Sequence, residues 1–233
     1  MRGDGERALI AARCWYAVLV ALVTAAFTVQ LVLLFRGGTD VNTAASQAGV
    51  HLGARLVRLF SYFTIQSNVI VWLSGISLLA WPDRDGRGWR ILRLDGLLGI
   101  FITGVVFDLV LAKDVHPTGA AWWANLGFHY FAPWWTLIGW VLFGPRPRIS
   151  WGTVTGALVG WPLAWIGYTF AHGAATGWYP YPFLDVARIG YAHAARNTAA
   201  VFVFAIVLAL VFKVLDRVRS ALPREQRPVV ELR

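Results

Sequence analysis

A hydroxyl and an imidazole, those of Thr64 and His129, are the groups of this chain best placed to do chemistry. Thr64 lies in Phe60-Ser-Tyr-Phe-Thr-Ile-Gln-Ser-Asn68, where the start of an apolar run carries more hydroxyl and amide groups than lipid tolerates. On a helix, Ser61, Thr64, Asn68, Val71 and Gly75 recur at steps of three and four, so the small and polar residues share one face. An unpaired amide facing hydrocarbon costs ~2 kcal/mol or more, so that face is expected to look into protein, as the wall of a site. His129 lies in Trp122-Trp-Ala-Asn-Leu-Gly-Phe-His-Tyr-Phe-Ala-Pro133. Pro133 has no N–H to give the carbonyl four residues earlier, and that carbonyl belongs to His129. Loosened backbone at membrane depth survives only where protein or a wet cavity satisfies it. Asn125, His129, Thr136 and Trp140 share a face, with Asn125 one turn from the imidazole. A hydroxyl nucleophile needs a neighbouring base, and an ester needs donors for its developing oxyanion, so this set suits acyl transfer.

The elements that must position these groups are membrane helices. The 233 residues are 58% hydrophobic and only 14% charged, with a mean hydropathy of +0.57. Six apolar stretches approach the ~20 residues that a helix needs to cross ~30 Å of hydrocarbon: about 14–35, 57–80, 94–112, 122–143, 152–172 and 195–215. The expected fold is all-α: a polytopic membrane protein with six transmembrane helices in one bundle over residues 1–220, and a charged tail, 221–233, expected to be disordered. The first stretch is longer than a secretory core and lacks a small-x-small cleavage site, so it is read as a retained helix. The single cysteine, Cys14, excludes an internal disulfide and a Cys-rich metal site.

Most of the 21 Lys and Arg residues collect on one side: Arg2, Arg7 and Arg13, the loop with Arg84, Arg87, Arg90 and Arg93, Arg146 and Arg148, and the tail from Lys213 onward. Arg36, Arg55, Arg58, Lys113, Arg188 and Arg196 are on the other. Positive-inside bias then places both termini in the cytoplasm, and the net charge of +9 reads as topology and anionic lipid rather than nucleic acid. Trp81, Trp89, Trp122, Trp123, Trp151 and Trp178 fall near span ends, where indoles favour the interface.

In this topology the second and fourth spans both start outside, and Thr64 and His129 each lie seven residues in, roughly 10 Å below the surface. Asp108 shares that layer, and His116, His172, Asp185, His193, Arg196 and Asn197 lie above it. The aromatic, Pro-rich loop 173–194 is expected to fold over the bundle as a cap, and residues 36–56 to run along the outer surface as a short helix. Taken singly, each residue has a plainer reading. A membrane threonine most often bonds the carbonyl one turn back, a lone histidine donates between helices, Asp108 pairs with Lys113 or Arg196, and Ser67 and Asn68 are packing glue. The small-residue series Gly152, Gly156, Gly160 reads as close helix packing, and Pro162 as a bend. The coincidence of these groups at one depth favours a site.

Three motifs add a family resemblance. The threonine of Phe60-Ser-Tyr-Phe-Thr64, the run Asn125-x-Gly127-x-His129 followed by Pro133, and Thr176-Gly-Trp-Tyr-Pro-Tyr-Pro-Phe-Leu-Asp185 together resemble the androgen-induced, androgen-dependent family of six-span threonine hydrolases. Tyr62-Phe-Thr-Ile-Gln-Ser-Asn68 is closer still to its prokaryotic relatives. The resemblance implies hydrolysis of fatty acid esters of hydroxy fatty acids, with Thr64 as nucleophile and His129 as its partner. Gln66-Ser67-Asn68 replaces apolar residues of the animal pattern, and His129 stands one residue closer to Pro133.

The resulting expectation is an intramembrane lipid-ester hydrolase working from the outer leaflet of a plasma membrane, with a bacterial inner membrane suggested by the excess of Arg over Lys. Asn68 or Ser67 would bind the oxyanion, and Asp108 or Asn125 would orient the imidazole. Arg58, His172, Tyr181, Asp185, His193, Arg196 and Asn197 would meet the substrate, an arginine among them holding its carboxylate. Membrane lipids and a lipid ester are the expected partners, with no cofactor, no metal and no nucleic acid. A second class is a non-catalytic binder or transporter of an apolar molecule. A metal or haem held by His116, His129, His172 or His193 is a weaker third, because no pair has the three- or four-residue spacing of a helical metal motif.

Overall fold

The computed structural model describes residues 2–40, 42–82, 84–143 and 148–221. Among them every regular element is helical, apart from one antiparallel bridge between Thr39 and Ser46. Helix α1 (Arg2–Phe35) ends where Gly37 turns left-handed at φ 68°. There Gly38 N donates to Leu33 O at 2.8 Å and Gly37 N to Leu34 O at 3.1 Å, the two bonds that close a helix C-terminus around a glycine. A short amphipathic helix, α2 (Leu52–Ser61), precedes α3 (Phe63–Ala80), and the chain bends between them at Tyr62, whose backbone is extended. The short helix expected in 36–56 therefore forms later, at 52–61, and takes with it the residues assigned to the start of the second span.

Helix α4 (Arg87–Val106) continues through a π-helical turn, Phe107–Leu111. Next come α5 (Ala120–Leu126), a second π-helical turn (Gly127–Phe131) and α6 (Ala132–Leu142), which are contiguous, then α7 (Trp151–Val159) and α8 (Trp161–Thr176). A 3-10 turn (Pro182–Leu184) leads to α9 (Val186–Ala221), which is kinked at Gly190. The inner turn expected at 144–147 lies outside the described residues, as does the tail beyond Ala221.

Four of these helical stretches are long and apolar enough to cross a membrane: Gly5–Phe35, Phe63–Ala80, Arg87–Leu111 and Val186–Arg217. The other two apolar stretches are helical but interrupted, each for a local reason. Pro133 withholds the N–H that His129 O would take, and the helix widens there into its π-turn. Gly160 leaves helical geometry (φ −67°, ψ −101°) just before Trp161-Pro162, and the proline then sits in the first turn of α8, where its missing N–H is no loss.

Helix α4 is the pivot of the packing. Leu94, Leu98 and Ile102 form one buried cluster with Trp140, Val154 and Phe212, while Ile100 joins Leu19, Val23 and Val71 in another. Gly75 and Gly96 permit close crossings: a Cβ on Gly75 would lie 3.0 Å from Val20, and one on Gly96 3.2 Å from Ile70. By contrast α1 and α9 expose Val18, Leu22, Val32, Val203, Val207 and Val211, the apolar outward face of a bundle that meets lipid or another helix.

Candidate functional site

Thr64, Asn68, Val71 and Gly75 are all buried on α3, on the face their spacing implies. Thr64 is the second residue of that helix, in its first turn rather than seven residues into a span. The first N–H groups of a helix have no intrahelical acceptor, and here a residue far along the chain supplies one. Tyr181, in the loop between α8 and α9, accepts from Thr64 N at 3.1 Å through its phenol oxygen, which also lies 3.2 Å from Thr64 Oγ1. Burial pushes the Tyr181 phenol up to about 12, against the opposing pull of its bonds to Thr64.

His129 occupies the π-turn and is 1% exposed. Its ring stacks on Phe107 at a centroid distance of 3.8 Å, and Nδ1 lies 3.3 Å from Asn125 O and 3.2 Å from Asn125 Nδ2. If Nδ1–H donates to the carbonyl, Nε2 carries the free lone pair of a base; if Nδ1 accepts from the amide, Nε2 carries the proton. Nε2 itself is buried with no hydrogen-bond partner. Asn125 is thus the residue at the imidazole. Asp108 is exposed and accepts from the Tyr130 phenol at 3.1 Å instead.

Asn68 ties the two halves together. Its Nδ2 donates to Thr64 O at 2.9 Å and to Phe128 O at 3.3 Å, which brings the backbone on either side of the site within about 6 Å. Thr64 and His129 therefore flank one interhelical tie, although the hydrogen-bond partner of the Thr64 hydroxyl is Tyr181 and not the imidazole. With Asn68 Nδ2 engaged and Ser67 Oγ donating to Phe63 O at 2.7 Å, neither has a donor to spare, and the one at Thr64 is the Tyr181 hydroxyl.

One hollow adjoins Thr64 and a second lies beyond Tyr62. A cavity of about 80 Å³ runs along α4 and is lined by Thr64, Tyr181, Phe107, Trp165 and, deeper, Trp161 and Asp95. Its lining is almost wholly apolar. Outside it, beyond Tyr62, a polar hollow of about 220 Å³ is bounded by Arg58, Arg188, Asp185, Asp40 and Trp178. Arg58 lies over the Trp178 ring at 5.4 Å. Asp185 Oδ1 caps the start of α9 by accepting from Ala187 N and Arg188 N. Asp40 is buried and accepts from Asn42 N at 2.8 Å and Gln47 Nε2 at 2.7 Å; burial still raises it above the usual carboxylate range.

The remaining expected residues lie apart. Asn197 donates to Phe183 O at 2.9 Å and fastens the loop between α8 and α9; His172 packs beside Tyr168 and Trp178; His193 and Arg196 are exposed on α9. Among the described residues no cluster of three or more His, Cys, Asp or Glu could hold a metal ion.

Three residues escaped the sequence reading. Asp95 could have been found, since an ionisable residue inside an apolar stretch is a functional candidate by default. Thr103, buried with an unpartnered Oγ1 in the cavity wall, and Phe107, the ring on the imidazole, carry no such signal. Comparison of the chain with protein-family models, with curated proteins and with solved structures finds no match.

Proposed function

We propose that the chain is a six-span plasma-membrane hydrolase of lipid esters, with both termini cytoplasmic, Thr64 as nucleophile and His129 as base. The observation that carries the reading is the seating of Thr64: a hydroxyl at a helix N-terminus, beside a phenol donor, on the wall of an apolar cavity, with an unpartnered imidazole nitrogen across the Asn68 tie. In this reading the two further crossings are the contiguous helical path from Ala120 to Leu142, ~34 Å long and widened at its π-turn, and the pair α7–α8.

In the reaction, Oγ1 of Thr64 leaves Tyr181 for Nε2 of His129, gives up its proton there and bonds to the ester carbonyl carbon. The carbonyl oxygen becomes an oxyanion that the Tyr181 hydroxyl can meet as donor. Collapse expels the alcohol, which takes the proton from His129, and leaves an acyl-threonine. Water then repeats the sequence, releasing the acid and restoring Thr64. The apolar cavity suits the acyl chain, and Arg58 and Arg188 suit a carboxylate on the alcohol portion. Purified protein in micelles should cleave a long-chain ester, Thr64→Ala should lower the rate by at least a thousandfold, and a fluorophosphonate probe should label Thr64. Equal rates for the two proteins would dismiss the nucleophile.

A second reading, a non-catalytic binder of an apolar molecule, is favoured by one observation: the Thr64 hydroxyl bonds to Tyr181 rather than to the imidazole. Saturable lipid binding with no turnover and no adduct would select it.

A further inference from the structure

The inner end of the apolar cavity is built differently from the rest. Asp95 lines it, is only 6% exposed, and has its Oδ1 buried without a hydrogen-bond partner. The cation nearest in sequence is turned elsewhere: Arg93 lies two positions away, on the opposite side of α4, with its guanidinium toward Tyr16 of α1. Among the described residues no lysine or arginine lines the cavity.

The depth of this carboxyl group follows from helix contacts. A Cβ on Gly99 would lie 2.8 Å from Ser67 Oγ and one on Gly96 3.2 Å from Ile70, so α3 and α4 run antiparallel in a register that sets Asp95 level with Val71. That is seven residues below Thr64, or ~10 Å. On its other side, a Cβ on Gly156 would lie 2.6 Å from Ile91, and one on Gly99 2.9 Å from Trp161. Trp161 and Pro162, which follow directly on the helix break at Gly160, line the same cavity as Asp95. At that break Pro162 cannot satisfy the Leu158 carbonyl, and the C-terminal end of α7 brings its negative dipole. A carboxyl group buried in an apolar slot, with no positive partner among the described residues that line it, is suited to pair with a cation from outside the chain.

We propose that this end of the cavity binds the ammonium group of a lipophilic amine, with Asp95 as its counter-ion and the alkyl chain running outward along α4 toward Thr64. An extended chain advances about 1.25 Å per carbon–carbon bond of ~1.5 Å, so roughly eight bonds fill the distance between the two levels. The site stands independently of ester hydrolysis, since it requires neither Thr64 nor His129 to react.

The test uses the full chain in phosphatidylcholine nanodiscs at neutral pH, with decylamine, decanol and decanoate as probes and thermal unfolding as readout. Decylamine at a hundredfold excess over its Kd should raise Tm by ~5 °C, with little effect from decanol or decanoate. Asp95→Asn should reduce the amine effect to that of the alcohol, whereas Asp85→Asn, the same charge change on an exposed loop, should preserve it. Equal shifts for amine and alcohol in the unaltered protein would overturn the proposal without any variant having to fold, as would a full amine shift in Asp95→Asn. Loss of esterase activity in Thr64→Ala with the amine shift intact would leave the site standing.

Discussion

Changing Tyr181 to Phe removes one oxygen and little else, and three consequences can be worked out from where that oxygen sits. It satisfies Thr64 N at 3.1 Å and touches Thr64 Oγ1 at 3.2 Å, in a side chain that is 6% exposed. Without it an N–H at the start of α3 is left buried and unpaired, which costs ~1–3 kcal/mol, or ~5 °C in Tm at a few degrees per kcal/mol. The second consequence is a pH dependence. The phenol is held at about 12 in the folded chain against about 10 unfolded, so the native state retains the proton longer. That contribution is whole below pH 10 and drains away between pH 10 and 12, up to ~3 kcal/mol for the two units. Tyr181→Phe should therefore flatten part of the alkaline limb of stability, the rest coming from other tyrosines such as Tyr62, which burial also raises. The third consequence is catalytic: loss of an oxyanion donor lowers kcat by ~100-fold with little change in KM. Tryptophan-fluorescence melts from pH 7 to 12 and ester hydrolysis at pH 7 measure all three. A variant that matches the unaltered protein in Tm at pH 7 and in its alkaline limb refutes the capping role of Tyr181. Unchanged kcat with lowered Tm refutes only the catalytic one.

Two other outcomes separate positioning from stability. Asn68→Leu removes an interhelical bond worth ~1 kcal/mol but also an unpartnered buried Oδ1, so the Tm should move by no more than ~3 °C while hydrolysis falls at least tenfold as Thr64 and His129 lose their common tie. Gly160→Ala places a Cβ 2.9 Å from Gly156 O, a backbone atom that cannot yield, and should lower Tm by ~5 °C; an unchanged melt would show that the break at Gly160 is not needed.

The helical character and four helices long and apolar enough to cross a membrane were legible because length and hydropathy are local properties of a segment. So was the buried face of α3, since one period fixes it. The bend at Tyr62 was not. The run from Val57 to Ala80 is continuously apolar enough to read as one helix, and what divides it is tertiary: Trp165 donates to Ser61 O, Ser61 Oγ bonds Tyr168 OH, and Tyr181 takes the Thr64 N–H in the first turn of α3. The π-turn at His129 was half legible. Pro133 announced a freed carbonyl, but the widening also requires Gly104 to bring α4 close, with its Cβ position only 3.1 Å from Pro133 and 3.3 Å from His129 O.

The loop between α8 and α9 shows why the hydrogen bonds around Thr64 could not be read from short motifs. Gly177 closes α8 in the left-handed region, Asn197 holds Phe183 O, and Tyr62 meets both Trp178 and Tyr181 edge to face, so the loop's shape is fixed by its own residues and by α9. Only with that shape set does the Tyr181 hydroxyl arrive at the N-terminus of α3. The Thr64 amide it satisfies would otherwise be orphaned in the bundle, and the phenol would be an unpaired group in an apolar wall. Loop and helix each resolve the other's unpaired polar atom. Thr64 and Tyr181 thus form a single unit assembled from distant parts of the chain.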